Sequence, residues 1–179
     1  IEAFSLVLRS FPNHPKFPNF PNLTIAGSKG WHYDEILAAP KKFGIEKRVK
    51  FLGYTSEEDL AKLYSGALCL CLPSLFEGFG LPVLEAMACG CPVVVSNNSS
   101  LPEVAGDAGL YIDPYNVNDI AEKLKLIMTP TSSGSAGLRG AGNEQLRRKM
   151  SEKGLKQAQK FSWEKCARET VGVFNTLTR

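Results

Sequence analysis

Apolar and polar positions change their spacing repeatedly along the chain, and each change marks an element. Across 1–11 apolar residues recur at helical spacing, Leu23–Ala26 is a short apolar run, and Asp34–Phe43 is helical in period but weakened by Pro40. A strand is expected at 49–52, and Ser56 with Asp59 three residues on has the form of a capping box that opens the next helix. The run 67–72 is continuously apolar and ends in Pro73-Ser74, the pattern of a buried strand whose carboxyl end opens into a loop. A helix over roughly 82–89 follows, with Pro82 at its first position, Glu85 in its first turn and Gly90 as the left-handed residue that closes it. Beyond it come a strand at Val93–Ser96, a helical turn at Leu101–Ala105, a strand at 110–112, and a helix capped by Asn118 that runs to about Met128. The Gly/Ser-rich stretch 129–143 reads as a flexible surface connection, and helices at 144–160 and Trp163–Leu177 end the chain. Strands alternating with helices predict an α/β fold: a Rossmann-like, mostly parallel sheet with helices on both faces, with 1–179 forming a single domain.

The candidate chemistry lies in EGFGLPVLE (77–85), where two glutamates bracket a glycine-broken loop that runs into a helix. Glu77 falls at the carboxyl end of an apolar strand, where open α/β sheets bind their ligands. Gly78 and Gly80 permit close backbone approach or a positive φ, although a plain tight turn would want glycine as well. At the helix start the backbone N–H groups of Gly80 and Leu81 would face an anion. A ligand that is anionic in the middle and hydroxyl-rich on both sides suits this arrangement. A nucleotide sugar has that form, with one glutamate for the sugar hydroxyls and the other for the ribose. Glu85 also has a plainer reading, since a first-turn glutamate complements the helix dipole with no ligand at all.

The segment PSLFEGFGLPVLEAMACGCPVVVSNNSSLPEVAGDAGLYIDP (73–114) resembles the donor-site signature of glycosyltransferase family 4, the group 1 transferases of the GT-B fold, marked by a Glu, seven residues, then Glu. The similarity continues through IEAF (1–4), LTIAGSKGW (23–31), RVKFLGYTSEEDLAKLY (48–64) and KFSWEKCARETVGVFNTL (160–177). The resemblance implies the carboxy-terminal, donor-binding half of a retaining hexosyltransferase, mannosyl or glucosyl, that needs neither metal nor cofactor. It implies that Glu77, the catalytic candidate, contacts sugar hydroxyls, that the loop Gly78, Phe79, Gly80, Leu81 offers N–H groups to sugar and phosphate, that Glu85 holds the ribose diol, and that Gly53-Tyr54-Thr55 lines the base. The acceptor, a glycan or lipid-linked sugar, would be held by an amino-terminal domain, through which peripheral membrane association could arise. In such enzymes the terminal helices brace the two halves.

The sequence departs from that pattern before IEAF, where the resemblance implies a first strand and a loop carrying an Arg and a Lys that grip the diphosphate. The chain is therefore read as a fragment, inactive alone, with Lys29 in the next strand-end loop as the nearest cation for the phosphates. A solvated loop lysine is the alternative for Lys29. Two other functions stay open: a non-catalytic nucleotide or sugar-phosphate binding module, and a glycoside hydrolase, which would need its two carboxylates across a scissile bond rather than beside a helix start.

Composition narrows the partners further. A chain of 179 residues with 44% hydrophobic and 22% charged residues suits one globular domain. Its net charge of +3 is small and spread, with no basic run or aromatic-basic interleaving, which argues against nucleic acid. No apolar stretch reaches the length of about 18 residues that a membrane span needs, and a cytoplasmic protein is expected. Cys69 and Cys71, like Cys89 and Cys91, are spaced too tightly for the usual zinc pairs, and the odd cysteine count disfavours a disulfide framework. Reduced, buried thiols are the expectation. His14 and His32 offer little as general bases, and no Asp-x-Asp pair is present to hold a metal. The sequence GAGNEQ (140–145) lacks the third glycine and the preceding strand of a dinucleotide loop.

Overall fold

The computed structural model describes residues 1–11, 20–30, 33–129 and 143–177. Within them the elements run α1 (Glu2–Arg9), β1 (Leu23–Ala26), α2 (Asp34–Phe43), β2 (Val49–Gly53), α3 (Glu57–Gly66), β3 (Leu70–Leu72), α4 (Leu81–Ala88), β4 (Val93–Ser96), α5 (Leu101–Ala105), β5 (Gly109–Ile112), α6 (Val117–Met128), α7 (Glu144–Ala158) and α8 (Trp163–Leu177). All strand pairs are parallel: β1 lies on β2, and β3, β4 and β5 form a second ladder in that order.

β4 sets the layers. Every residue of Val93–Ser96 is buried, and because successive side chains point to opposite faces the strand feeds two cores. Val94 joins a cluster with Phe4 and Val7 of α1 and Ile120, Leu124 and Ile127 of α6. Val93 and Val95 join Val83, Ala86 and Met87 of α4 with Leu101 and Val104 of α5 on the other side. Burying each such side chain fully is worth about 1.5–3 kcal/mol. The helices thus cover both faces, as the alternating pattern implies. α7 closes the second core: its Gly154 lies so near α4 that an added Cβ would stand 3.2 Å from Met87 Cγ.

Three local expectations are corrected. β3 is half-buried throughout rather than buried, and among the described residues its ladder partner is β4. α4 begins one residue early, so Pro82 is its second residue and Glu85 lies in its second turn; Gly90, with φ of 71°, does take the left-handed conformation just past its end. The cap of α6 is Asn116, whose side chain accepts from the N–H groups of Asn118 and Asp119, so Asn118 is already inside the helix. The parallel strands form two ladders, and no strand among the described residues joins β1 to β3. Pro40 does not break α2: its ring is buried, and the helix closes one turn later on left-handed Gly44.

α8 buries none of its residues, and Val171, Phe174 and Leu177 stand exposed along it. No helix among the described residues is long and apolar enough to cross a membrane. The glycine-rich connection (residues 130–142) and both histidines lie outside the described residues.

Candidate functional site

The chain leaves β3 through Pro73-Ser74 and enters the 77–81 loop, which is held from one side by the segment that follows β4. Ser74 Oγ donates to Glu77 Oε1 at 2.7 Å, so the carboxylate is fixed by the loop's own first residue. Asn98 Nδ2 donates to the Leu75 carbonyl at 2.9 Å, and Ser99 Oγ accepts from the Glu77 N–H at 3.2 Å. The Ser100 hydroxyl lies 2.7 Å from the Phe79 carbonyl and 3.1 Å from that of Glu77. A hydroxyl has one proton, so these two carbonyls share it.

This arrangement has a directional consequence. In a trans peptide the N–H points opposite to the C=O, and the structure contains no cis bond. With the carbonyls of Glu77 and Phe79 turned toward Ser100, the N–H groups of Gly78 and Gly80 turn away from it. None of the N–H groups of Gly78, Phe79, Gly80 and Leu81 has a hydrogen-bond partner among the described residues. Gly80 caps α4 with φ of 101°, and a Cβ there would lie 2.8 Å from Leu101 Cδ2, so both conformation and space demand glycine. The Phe79 ring packs edge-on against Phe161, in the connection between α7 and α8, with centroids 5.9 Å apart. Ser99 is the one positive-φ non-glycine among the described residues, at 50°; strain at such positions gathers at functional sites.

Glu85, exposed on the second turn of α4, accepts a hydrogen bond from the Tyr64 hydroxyl of α3 at 3.3 Å. Burial first, and then the Glu85 charge, push the Tyr64 phenol above its ordinary range. The plainer role for Glu85, a first-turn charge on the helix dipole, loses its basis with the shift to the second turn.

Gly53 ends β2 with φ of 70°; its carbonyl accepts from the Gly27 N–H at 2.8 Å and the Thr55 hydroxyl at 3.3 Å. Tyr54 beside it is 82% exposed. An open cavity of about 470 Å³ is lined by Leu52, Tyr54, Thr55, Ser56, Asp59, Lys62 and Leu63. Lys62 is already paired with Glu58 and Asp59, at 2.8 and 3.2 Å. Lys29 Nζ stands 5.0 Å from the centroid of the Tyr33 ring, on an exposed side chain. The five cysteines are all free; burial pushes the thiols of Cys71 and Cys91 up to about 11, and that of Cys69 higher still.

Sequence reasoning found the loop and both glutamates but missed what holds them: Tyr64, Ser74, Asn98, Ser99 and Ser100. The Asn97-Asn98-Ser99-Ser100 run was a usable signal, since short polar side chains at a strand's carboxyl end commonly hold neighbouring backbone. Tyr64 carried none, being one aromatic among the apolar residues of an amphipathic helix.

A parallel α/β fold with a polar loop at the carboxyl ends of its strands is the plan on which open sheets form their ligand crevices. The sequence model of the glycosyl transferases group 1 family matches residues 1–157, and the chain belongs to that family. It is 39% identical over 155 residues to the O-antigen chain mannosyltransferase B of Escherichia coli, covering 87% of this chain and 37% of that protein. It is 36% identical over 137 residues to the MMP alpha-(1->4)-mannosyltransferase of Mycolicibacterium hassiacum, covering 74% of this chain and 30% of that one. The chain therefore spans about a third of the length of these relatives. Among solved structures, sucrose-phosphate synthase of Thermosynechococcus elongatus superposes with a TM-score of 0.77 at 25% identity, over 99% of this chain and 42% of its own. The Anabaena protein HepE, solved with UDP and glucose, superposes at 0.74 and 18% identity, over 98% of this chain and 44% of its own, which shows the shared fold.

Proposed function

We propose that this chain is the donor-binding half of a retaining glycosyltransferase that takes a hexose from a nucleotide diphosphate sugar. The observation that carries the reading is the row of N–H groups from Gly78 to Leu81, which have no partner among the described residues and lie between the two glutamates in sequence. Preorganised donors of this kind stabilise negative charge that develops in a transition state, with no metal required of them. Glu77, held by Ser74, faces the sugar hydroxyls; the loop N–H groups face the phosphates; Glu85 takes the ribose diol. The base lies by Gly53-Tyr54-Thr55, where the 470 Å³ cavity is of ligand size.

In this reading the bond from the anomeric carbon to the diphosphate breaks, and its electron pair passes to the phosphate oxygen facing the loop. An oxocarbenium-like carbon is then attacked from the leaving-group side by an acceptor hydroxyl, whose proton passes to the departing diphosphate. The acceptor is held by a further domain, against which the exposed apolar side chains of α8 would pack. Mannose is the favoured sugar, because the two relatives named above are mannosyltransferases.

The test uses the full-length protein. Glu85→Gln should weaken binding of the bare nucleoside diphosphate by about 1.5–3 kcal/mol, the range for hydrogen bonds to a charged group. Glu77→Ala should spare that binding and cut turnover. If both variants bind the nucleotide like the wild type and still transfer sugar, the site is elsewhere.

A further inference from the structure

Resting on the donor-site reading above, we infer that Tyr64 is a positioning residue that presets Glu85 to recognise the 2′,3′-diol of a ribonucleotide. Glutamate is a costly choice for a rigid reader, because fixing its side chain from solvent forfeits about 1.5–2 kcal/mol of rotamer entropy. The Glu85 side chain stands exposed on α4, and among the described residues its one hydrogen bond comes from Tyr64 on α3. Tyr64 is itself well anchored, since its ring packs on the second core against α4. A phenol has two stiff side-chain torsions, so its hydroxyl arrives at a fixed place.

The donor count supports the assignment. An ionised carboxylate offers about four lone-pair directions over two oxygens. The Tyr64 hydroxyl occupies one on Oε2 at 3.3 Å, which sets the carboxylate plane and leaves Oε1 and the rest of Oε2 for two adjacent hydroxyls. A cis-diol presents two O–H donors at the spacing of two carboxylate oxygens. Half-buried beside a negative group, the phenol holds its proton above its ordinary range, so it is a donor at neutral pH. An apolar residue at position 64 would fill the same space and leave Glu85 free to turn into solvent.

The experiment is calorimetric titration of the full-length protein. UDP, GDP and ADP are tried first, and the tightest is carried forward with its 2′,3′-dideoxy counterpart. Tyr64→Phe should weaken the ribonucleotide about three- to tenfold, the span for one hydrogen bond, and leave the dideoxy nucleotide unchanged. In a Glu85→Gln background the same substitution should add nothing. Thermal melting establishes that each variant is folded, and Tyr64→Met, which fills the site without a hydroxyl, replaces Tyr64→Phe if that variant does not fold. Equal weakening of both nucleotides would make Tyr64 a packing residue and overturn the inference. So would undiminished ribonucleotide binding by Tyr64→Phe while Glu85→Gln still discriminates the diol, an outcome that leaves the donor-site reading standing. If Glu85→Gln itself ignores the diol, both fall together.

Discussion

Ser100 shows how one small side chain can govern a site it need not touch. Its single proton serves the carbonyls of Glu77 and Phe79, so removing it frees two peptide planes at once. Ser100→Ala should cost about 0.5–1.5 kcal/mol in thermal or urea unfolding and weaken nucleotide-sugar binding, while Ser100→Thr restores both. If Ser100→Ala binds the nucleotide sugar as the wild type does, the orientation of the loop N–H groups does not depend on this hydroxyl. At Ser99 the strained φ of 50° and the bond to the Glu77 N–H pull in opposite directions. Ser99→Gly should therefore be more stable than Ser99→Ala by about 1 kcal/mol, because only glycine relieves the strain. Equal unfolding midpoints would show that the backbone relaxes there. Both glutamates were legible from their spacing, whereas the turn of α4 that carries Glu85 was not. Pro82 is acceptable at either of the first two helical positions, so a one-residue shift left no trace in the sequence.

At the scale of elements, α4 and the loop before it are locked to their neighbours by shape. Gly80→Ala would force a side chain into a left-handed φ and against Leu101, and about 1–3 kcal/mol of stability should be lost. An unchanged melting temperature would mean that Leu101 and the loop give way freely. The edge-on contact of Phe79 with Phe161 ties the same loop to the connection between α7 and α8. Phe161→Ala should speed exchange of the Glu77 amide, which is bonded to Ser99 Oγ, in the unliganded protein with little effect on α4 itself, and an equal rate would show the loop to be held by the serines alone. Element order and most boundaries could be read from periodicity, and Ser56 caps α3 as its spacing with Asp59 implied. The burial of β3 could not. A continuous apolar run tells of two apolar faces but not of how many strands flank it, and among the described residues β3 pairs with one.

For the whole molecule, the raised thiols make alkaline stability a test of the packing. A thiol whose folded value lies at about 11, above its unfolded value, stabilises the fold at lower pH, and that contribution is lost as pH rises through this window. Unfolding midpoints should accordingly fall from about pH 9 toward 11, and the fall should be shallower in a Cys71→Ala, Cys91→Ala double variant. An identical slope in that variant would assign the alkaline loss to other groups. The layered α/β plan was legible from alternation alone, because β4 shows its central place as an unbroken Val-Val-Val run.

Hydrogen exchange of the full-length protein, with and without a nucleotide diphosphate sugar, tests the proposed donor site directly. Amides freed by local opening report ligand contact residue by residue. The N–H groups of Gly78, Phe79, Gly80 and Leu81 have no partner among the described residues, so a bound diphosphate and sugar should slow their exchange strongly, with a second slowed patch at 53–55. Saturated binding that leaves exchange at 78–81 unchanged would contradict the account.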